Sequence, residues 1–331
     1  MELKSKPNLF FIAHRMNVGS PVKSSYNQVD NSMEALESVL GITEVAEQYP
    51  EIKGFECDVR MTGDNELVVL HDGNAKGITK NKLDKNISDM TYAELRSLEL
   101  LNTEWYYNGL KKRALLLPDS KRIIEIINQK LQKTSAVPKA FEMFEYLSAK
   151  GYKKEIVLEL KEASDKNRDA TIELINTYKS KLNIVTKGYD AKRIMKIGEK
   201  TGVKIGQLEA IKLINQEKDI DVSYIKNMPF DFYSIIWTKV TSKKLSAFIE
   251  YGKDLYTWTI DSAAHMFAVL NSLEKFYDKY GSLPKNTNLI TNIPILLEEY
   301  ISSNNHCIPF TKSINQKYEK LYKSPLSAAQ L

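Results

Sequence analysis

Short apolar runs, rich in β-branched and aromatic residues, alternate along the chain with longer segments of helical periodicity. Runs this apolar are typical of strands buried on both faces, and the intervening segments suit right-handed helical crossovers. This alternation predicts an α/β fold with a parallel sheet. The strand-like runs are 9–14, 54–60, 67–71, 156–161, 183–186, 203–207, 232–237, 255–260 and 289–291. The clearest helical patterns are 32–40, 120–131, 169–179, 191–201, 242–251 and 262–276.

The number of strand-like runs favours a closed (β/α)8 TIM barrel over an open doubly wound sheet. Nine runs is one more than such a barrel needs. Runs 54–60 and 67–71 are joined only by residues 61–66, too short a segment for a helical crossover. One of these two runs is therefore predicted to be a hairpin partner at the barrel rim, and the sequence leaves open which one.

The segment 73–154 interrupts the regular alternation. It contains a polar loop at 74–87 and a predicted helix at 91–98, and it is longer than an ordinary βα connection. Part of it is therefore predicted to be a cap above the catalytic face, inserted after the strand-like run 67–71, which ends at His71 directly before Asp72. We expect a barrel over 8–294, followed by a short helix and a Lys/Tyr-rich tail over 295–331.

Composition and charge narrow the class of protein. The 331 residues include 27% charged and 43% hydrophobic residues, which excludes a disordered chain and a collagen-like one. The formal net charge of +5 is compatible with an anionic substrate and too dispersed to indicate nucleic acid. The only cysteines, Cys57 and Cys307, are far apart, which argues against a disulfide scaffold or structural zinc.

No apolar segment is long enough for a signal peptide or a membrane span, so a cytoplasmic location is expected. A homo-oligomer is compatible with the sequence, which does not fix the oligomeric state.

Two of the four histidines stand at the ends of apolar strand-like runs, each directly before a charged residue. His14 precedes Arg15, and His71 precedes Asp72. In a (β/α)8 barrel, the residues at the carboxyl ends of the strands face the active site. Two imidazoles there can supply a general base and a general acid near neutral pH.

Three acidic residues lie in the predicted inner strands. Glu56 and Asp58 are two residues apart, so their side chains project from the same face of one strand. Glu159 on another strand adds a third carboxylate, with Glu162 as the alternative if the register is shifted. Three oxygen ligands suit one divalent cation, Mg²⁺ or Ca²⁺, better than Zn²⁺.

Arg15 and Lys161 place cations beside these carboxylates, and cationic side chains with a metal suit a phosphoryl group. Simpler interpretations remain open. Glu56 and Asp58 could form salt bridges with Arg15 or Arg60, and Lys161 could be solvated.

In their order along the chain, these motifs resemble the glycerophosphodiester phosphodiesterases. That family belongs to the barrel phosphodiesterases that include phosphatidylinositol-specific phospholipase C. The resemblance extends from about residue 8 to 294 and includes 90–95 and 117–120 of the cap. The matching motifs are His14-Arg15, Asn31-Ser32, Glu56-x-Asp58-Val59, Val68-Val69-Leu70-His71-Asp72, Glu159-x-Lys161, Trp258-Thr259-Ile260-Asp261 and Leu289-Ile290-Thr291-Asn292-Ile293-Pro294.

The resemblance implies a metal-dependent phosphodiesterase acting on a small phosphodiester. A neighbouring hydroxyl of the substrate would attack phosphorus, and water would open the resulting cyclic phosphate. Asn31 is equally interpretable as a helix cap, and Trp258 as a core residue. The implied roles are acid/base catalysis for His14 and His71, metal binding for Glu56, Asp58 and Glu159, phosphate binding for Arg15 and Lys161, a site role for Asn31, and packing against a polyol for Trp258.

Several positions depart from the family pattern. Met16 replaces the glycine of His-Arg-Gly and would put a bulky thioether where the backbone approaches the substrate. Asp30-Asn31-Ser32 replaces Glu-Asn-Thr, Asn292 replaces the closing aspartate, and the cap motif at 118–122 differs. Because the acid/base and metal set is intact, we hypothesise a changed substrate, a sugar or polyol phosphodiester rather than a common glycerophospholipid headgroup.

Two alternatives stay open at the level of sequence. The same residues could act as a lyase or a phosphoryl transferase, leaving a cyclic phosphate or a new diester. The barrel could also be a binding module without catalysis.

Overall fold

Strands and helices alternate over most of the polypeptide. The computed structural model describes residues 9–20, 24–43, 49–114, 120–162, 164–209, 220–261, 263–281 and 284–302. Within these ranges the strands are β1 Leu9–Ala13, β2 Ile52–Met61, β3 Leu67–Val69, β4 Leu100–Leu101, β5 Thr134–Ser135, β6 Glu155–Leu160, β7 Asn183–Gly188, β8 Ile205–Leu208, β9 Phe232–Ile236, β10 Asp254–Trp258 and β11 Thr287–Thr291. The α-helices are α1 Met33–Thr43, α2 Tyr92–Arg96, α3 Glu104–Ala114, α4 Ser120–Leu131, α5 Ala140–Ala149, α6 Asp165–Tyr178, α7 Ala191–Thr201, α8 Val222–Asn227, α9 Ser242–Glu250, α10 Ala263–Tyr280 and α11 Pro294–Ser302.

Eight parallel strands close into a barrel. Their order is β1, β2, β6, β7, β8, β9, β10 and β11, and β11 pairs with β1. Among the described strands, β3 pairs only with β2, in antiparallel orientation, and is the rim hairpin strand that the sequence left undecided. The predicted (β/α)8 TIM barrel is therefore confirmed.

Two hydrophobic cores follow from the period-two alternation of the strands. One side of each strand packs with the surrounding helices in the large core. The other side fills the barrel, so that the barrel is packed rather than hollow. The apolar residues of this inner layer are Ile12, Val157, Val185, Phe232, Tyr256 and Ile290, with Trp258 packed against them.

The predicted cap lies between β3 and β6. It contains α2, α3, α4 and the small β4–β5 sheet, and it has a core of its own that includes Leu70, Ile78, Leu95 and Leu100. The insertion ends before α5, which packs against α6 and β3 in the helix ring of the barrel.

α11 closes the described part of the chain, and its Leu296 and Leu297 are fully buried in the large core. Residues 303–331, with the Lys/Tyr-rich segment and Cys307, and the cap motif at 117–119 lie outside the described residues. The division into a barrel and a separate tail stays a prediction. Among the described helices, none is both long and apolar enough to cross a bilayer.

Candidate active site

The carboxyl ends of three neighbouring strands carry charged side chains at one level. Asp58 of β2 is in register with Glu159 of β6, which is in register with Lys187 of β7. Glu56 lies two residues before Asp58 on the same face of β2, and all four residues are buried. Carboxylate oxygens of Glu56, Asp58 and Glu159 lie within 4.8 Å of one another. The structure therefore brings the three predicted metal ligands together.

Two lysines bridge these carboxylates. Lys161 Nζ lies 3.1 Å from Asp58 Oδ1 and also contacts Glu159 Oε1. Lys187 Nζ lies 2.8 Å from Glu159 Oε2 and 3.4 Å from Glu56 Oε1. Lys161 is thus an ion-pair partner of the cluster and not a solvated residue. The alternative ligand, Glu162, instead pairs with Arg60 at 3.2 Å.

The electrostatics of the three carboxyl groups differ. Burial and the charge of Asp58 raise the pKa of Glu56 to about 8. Burial also opposes ionisation of Asp58, but Lys161, His71 and Arg15 hold its pKa well below the usual range. The pKa of Glu159 is lowered against the effect of burial by Lys161 and Lys187. Around neutral pH the cluster therefore combines two carboxylates with a third group that readily keeps a proton.

The cluster fits a divalent cation. Its ligand atoms are hard oxygens on rigid strands, as Mg²⁺ and Ca²⁺ prefer. Although Asp58 Oδ1 is close to Lys161, it accepts no well-aligned hydrogen bond from any described residue. A buried carboxylate oxygen with a free lone pair is a costly feature that a metal ion would satisfy.

Arg15 reaches the cluster from the turn that follows β1. Its backbone has φ 51°, a left-handed conformation that is strained for a non-glycine residue. This conformation lets the Arg15 backbone N–H donate to Glu56 Oε2 at 3.0 Å. The guanidinium lies 3.7 Å from Asp58 and 3.5 Å from Asp30. Burial opposes its charge, but these two acids raise the pKa of Arg15 further above its already high value.

Asn31 contacts Asp58 and does not cap α1. Its Nδ2 donates to Asp58 Oδ2 at 2.8 Å, and its Oδ1 accepts from the Asp58 backbone N–H at 3.3 Å. Capping of α1 falls to Ser32, whose Oγ accepts from the Ala35 backbone N–H at 3.1 Å.

His14 is held by Asn292, the residue that replaces the aspartate of the family pattern. Asn292 Nδ2 donates to Asp261 Oδ1 at 2.6 Å and to Tyr106 Oη at 3.0 Å. Its Oδ1 is thereby the acceptor for His14 Nδ1–H, 2.9 Å away. Burial, reinforced by the charge of Arg15, lowers the pKa of His14 to about 3. At neutral pH the imidazole is therefore uncharged, and Nε2 is its unprotonated nitrogen.

His71 has a different partner. Its Nδ1 lies 2.6 Å from Asp72 Oδ1, and Thr103 Oγ1 of the cap donates to Asp72 Oδ2 at 3.0 Å. Burial and the positive charges of Arg15 and Lys161 lower the pKa of His71. Unlike His14, His71 has a carboxylate that can support a protonated ring.

The cap covers this end of the barrel. The Tyr106 ring lies 5.4 Å from the Arg15 guanidinium carbon. Lys130 of α4 is almost fully buried and lies 3.2 Å from Asp30, the acid that also contacts Arg15. A small pocket lies between cap and barrel; its lining includes Arg15, Asp30, Asn31, His71, Asp72 and Thr103.

Two remaining sequence expectations meet different outcomes. Met16 has φ 62°, but its side chain is fully buried in the large core and does not line the pocket. The expectation of a thioether facing the substrate is therefore wrong.

Trp258 is half-buried on the inner barrel layer, and its Nε1–H donates to the Ser234 carbonyl at 3.2 Å. Trp258 therefore has the packing expected of a core residue and also the partial exposure that contact with a polyol would require.

Lys187, Lys130 and Tyr106 were not identified from sequence. The predicted strand ended at 186, one residue before Lys187, although Val185 and Lys187 alternate onto one face. Lys130 and Tyr106 reach the site only through the fold of the cap, and no local pattern distinguishes them.

Comparison with known proteins agrees with this geometry. The model of the glycerophosphoryl diester phosphodiesterase family matches residues 24–274. The chain belongs to this family. It is an enzyme of the phosphoric diester hydrolase type. A search of curated proteins finds no significant match.

Solved structures of family members share the fold. A Silicibacter pomeroyi DSS-3 protein assigned as a glycerophosphoryl diester phosphodiesterase has a TM-score of 0.65 at 16% identity, covering 90% of this chain and 95% of its own. An Oleispira antarctica phosphodiesterase, solved with the product sn-glycerol-3-phosphate, has a TM-score of 0.59 at 17% identity, with coverages of 88% and 96%. A Parabacteroides distasonis glycerophosphodiester phosphodiesterase gives 0.57 at 18%, with coverages of 90% and 99%. At these low identities, the structural similarity shows the shared fold alone.

Proposed function

We propose that this enzyme is a metal-dependent phosphodiesterase that hydrolyses a glycerophosphodiester or a related polyol phosphodiester. The observation that carries the proposal is the buried cluster of Glu56, Asp58 and Glu159, with Arg15 and Lys161 in contact with it and with His14 and His71 close enough to interact electrostatically with Asp58. Carboxylates this crowded are costly in a protein core unless they bind a ligand.

Glu56, Asp58 and Glu159 would hold one divalent cation, Mg²⁺ or Ca²⁺. When bound, this ion would neutralise the phosphate oxygens and lower the pKa of a nearby substrate hydroxyl. Arg15 supplies a guanidinium suited to phosphate. Lys161 Nζ has three hydrogens; it donates to Glu159 and has no aligned hydrogen bond to Asp58, so it keeps a donor for a phosphate oxygen.

The two histidines divide the proton transfers. His14 is neutral and has a free Nε2 lone pair, because Asn292 accepts its Nδ1–H. It is suited to take the proton of the attacking hydroxyl. His71 is paired with Asp72, which can stabilise the imidazolium. It is suited to protonate the leaving alkoxide, and the roles reverse when water opens the cyclic phosphate.

The alcohol groups follow from the lining of the small pocket. Among the described residues, this lining combines Arg15, His71, acids, amides and a threonine with aliphatic side chains, and it contains no Phe, Tyr or Trp. Hydroxyl groups can hydrogen-bond to such a wall, whereas a trimethylammonium group favours an aromatic cage. We therefore propose a polyol or sugar phosphodiester as the preferred substrate. Trp258 lies outside this lining, and as the resemblance implies it would pack against another part of the polyol.

The test is a ³¹P NMR time course with glycerophosphodiesters and sugar phosphodiesters, with Mg²⁺ or Ca²⁺ and then with excess EDTA. A phosphomonoester peak that requires the added metal is expected, with polyol diesters turned over faster than glycerophosphocholine. A persistent cyclic phosphate or a new diester would instead identify a lyase or a transferase. Turnover that survives EDTA would contradict the metal requirement.

A further inference from the structure

Lys187 is the least expected charge in the barrel. Its side chain is only 2% exposed, and β7 places it directly beside Glu159 on the inner face of the sheet. Its ammonium contacts Glu159 Oε2 and Glu56 Oε1, so it binds two of the three candidate metal ligands. None of the motifs discussed above includes this residue.

The contacts of Lys187 compete with those of a divalent ion. Three carboxyl groups face three cations, Arg15, Lys161 and Lys187, so positive charge already surrounds the carboxylate oxygens before any metal enters. A divalent ion needs the same carboxylate oxygens, and it adds two positive charges within a few ångströms of the ammonium. Electrostatic repulsion at that distance is weakly screened in a buried site.

Lys187 differs from Lys161 in its freedom to withdraw. Lys161 follows the end of β6, and its side chain is 11% exposed, so its ammonium can turn toward a phosphate. Lys187 lies within β7, between its neighbours β6 and β8. Its charge therefore stays next to the carboxylates whether or not an ion is present.

We propose that Lys187 sets the divalent-ion affinity of the site by competing for the oxygens of Glu56 and Glu159. The inference rests on the proposed metal dependence. Removing the ammonium frees two oxygens and removes a like charge, so the ion should bind more tightly. Replacing Lys187 also removes a positive charge near the phosphate, so turnover would change for a second reason. Ion binding, and not turnover, is therefore the decisive measurement.

The experiment is a calorimetric titration of Mn²⁺, Ca²⁺ and Mg²⁺ into the metal-free full-length protein and into Lys187→Met, with metal-dependent thermal shifts as a second readout. Lys187→Met should bind its preferred ion about 10- to 100-fold more tightly and show a larger thermal shift. Lys187→Gln is a second neutral variant, in case the methionine variant folds poorly.

Lys130→Met is the matched control. Lys130 is equally buried and also pairs with an acid, but that acid is Asp30, outside the carboxylate cluster. Its ion affinity should stay within about threefold of wild type. Equal or weaker ion binding by both Lys187 variants would overturn the inference.

Asp58→Asn separates this failure from failure of the proposed function. If Asp58→Asn abolishes ion binding while Lys187→Met binds no more tightly than wild type, the metal site stands and the role of Lys187 is wrong. If wild-type binding survives Asp58→Asn, the metal site itself is elsewhere.

Discussion

The amino-terminal end of the barrel interior, here called the lower end, and the carboxyl-terminal end, the upper end, bury charge in different ways. At the amino-terminal end of β6, Glu155 Oε1 accepts from Tyr256 Oη at 2.5 Å, and Glu155 Oε2 lies 3.1 Å from Lys53 Nζ. One carboxylate has one cation, and both of its oxygens have partners. Four residues along the same face, about 13 Å away, Glu159 belongs to a cluster of three acids and three cations. An apolar layer that includes Val157 separates the two ends.

This difference distinguishes a structural charge from a functional one. The lower pair is balanced and closed, so it can stabilise the barrel without any ligand. The upper cluster sets like charges side by side, shifts several pKa values strongly and leaves Asp58 Oδ1 without an aligned donor among the described residues. Such an arrangement costs folding free energy, and binding of a metal and a phosphodiester can offset that cost.

The largest expected effect comes from removing a histidine at the upper end. His14→Ala and His71→Ala should each lower kcat by about 10²- to 10⁴-fold while the fold is kept, because each loses a positioned acid or base. If His71 is the first general acid, His71→Ala should lose less activity on a p-nitrophenyl diester, whose leaving group needs no proton. Near-normal kcat in both variants would break the assignment of the upper end as catalytic.

A smaller effect is expected where the cap supports the upper end. Lys130→Met removes a partner of Asp30, which contacts the Arg15 guanidinium. Because Arg15 would then bind phosphate in a less defined position, KM should rise about tenfold and kcat should change less. Steady-state kinetics on the diester identified by NMR measure this split. Lys130→Arg should restore part of the affinity, and a fall in kcat with unchanged KM would contradict a positioning role.

The smallest effect is expected at the lower end and concerns stability alone. Glu298 of α11 is 2% exposed, accepts from the Glu51 backbone N–H at 3.3 Å, and has its pKa raised to about 7 by burial. Between its ordinary pKa and pH 7, the folded state binds more protons than the unfolded state. Stability therefore falls as pH rises through this window, and the full cost is present above pH 7.

Glu298→Gln removes this cost. After allowance for solvent screening, it should stabilise the protein by about 1–2 kcal/mol, or a few degrees in Tm, at pH 8. It should have no effect on Tm near pH 4.5, and kcat/KM should be unchanged. Melting curves at the two pH values decide this, and an equal gain at both would show that burial of the charge is not the cause.

Patterns within single strands made much of the molecule predictable. Short apolar runs predicted every barrel strand, and the spacing of Glu56 and Asp58 predicted their common face. The bulge beside Lys53 was not predictable, because it depends on how β2 pairs with β1. Phe11 of β1 pairs with Ile52 and the next residue, Ile12, pairs with Gly54, which leaves Lys53 as an extra inward residue. Gly54 permits the close approach of β6, since a Cβ there would lie 1.9 Å from the Glu155 carbonyl oxygen.

Contacts between distant segments account for what the sequence did not reveal. The partner of His14 is 278 residues away, and the link from Lys130 to Arg15 passes through Asp30. Met16 was misplaced because a motif describes backbone position, whereas the direction of a side chain depends on packing around it. Pairing across strands, not spacing along one, brings Lys187 to Glu159.

The most direct test of the difference between the two ends replaces the two glutamates of β6 one at a time. Glu159→Gln should lower kcat/KM by at least about 10²-fold and abolish the metal-dependent rise in Tm, because it removes a ligand of the ion. Glu155→Gln should lower Tm while leaving kcat/KM within about threefold of wild type and the metal-dependent rise intact. Equal losses of activity in both variants, or a metal-dependent rise that persists in Glu159→Gln, would contradict the account.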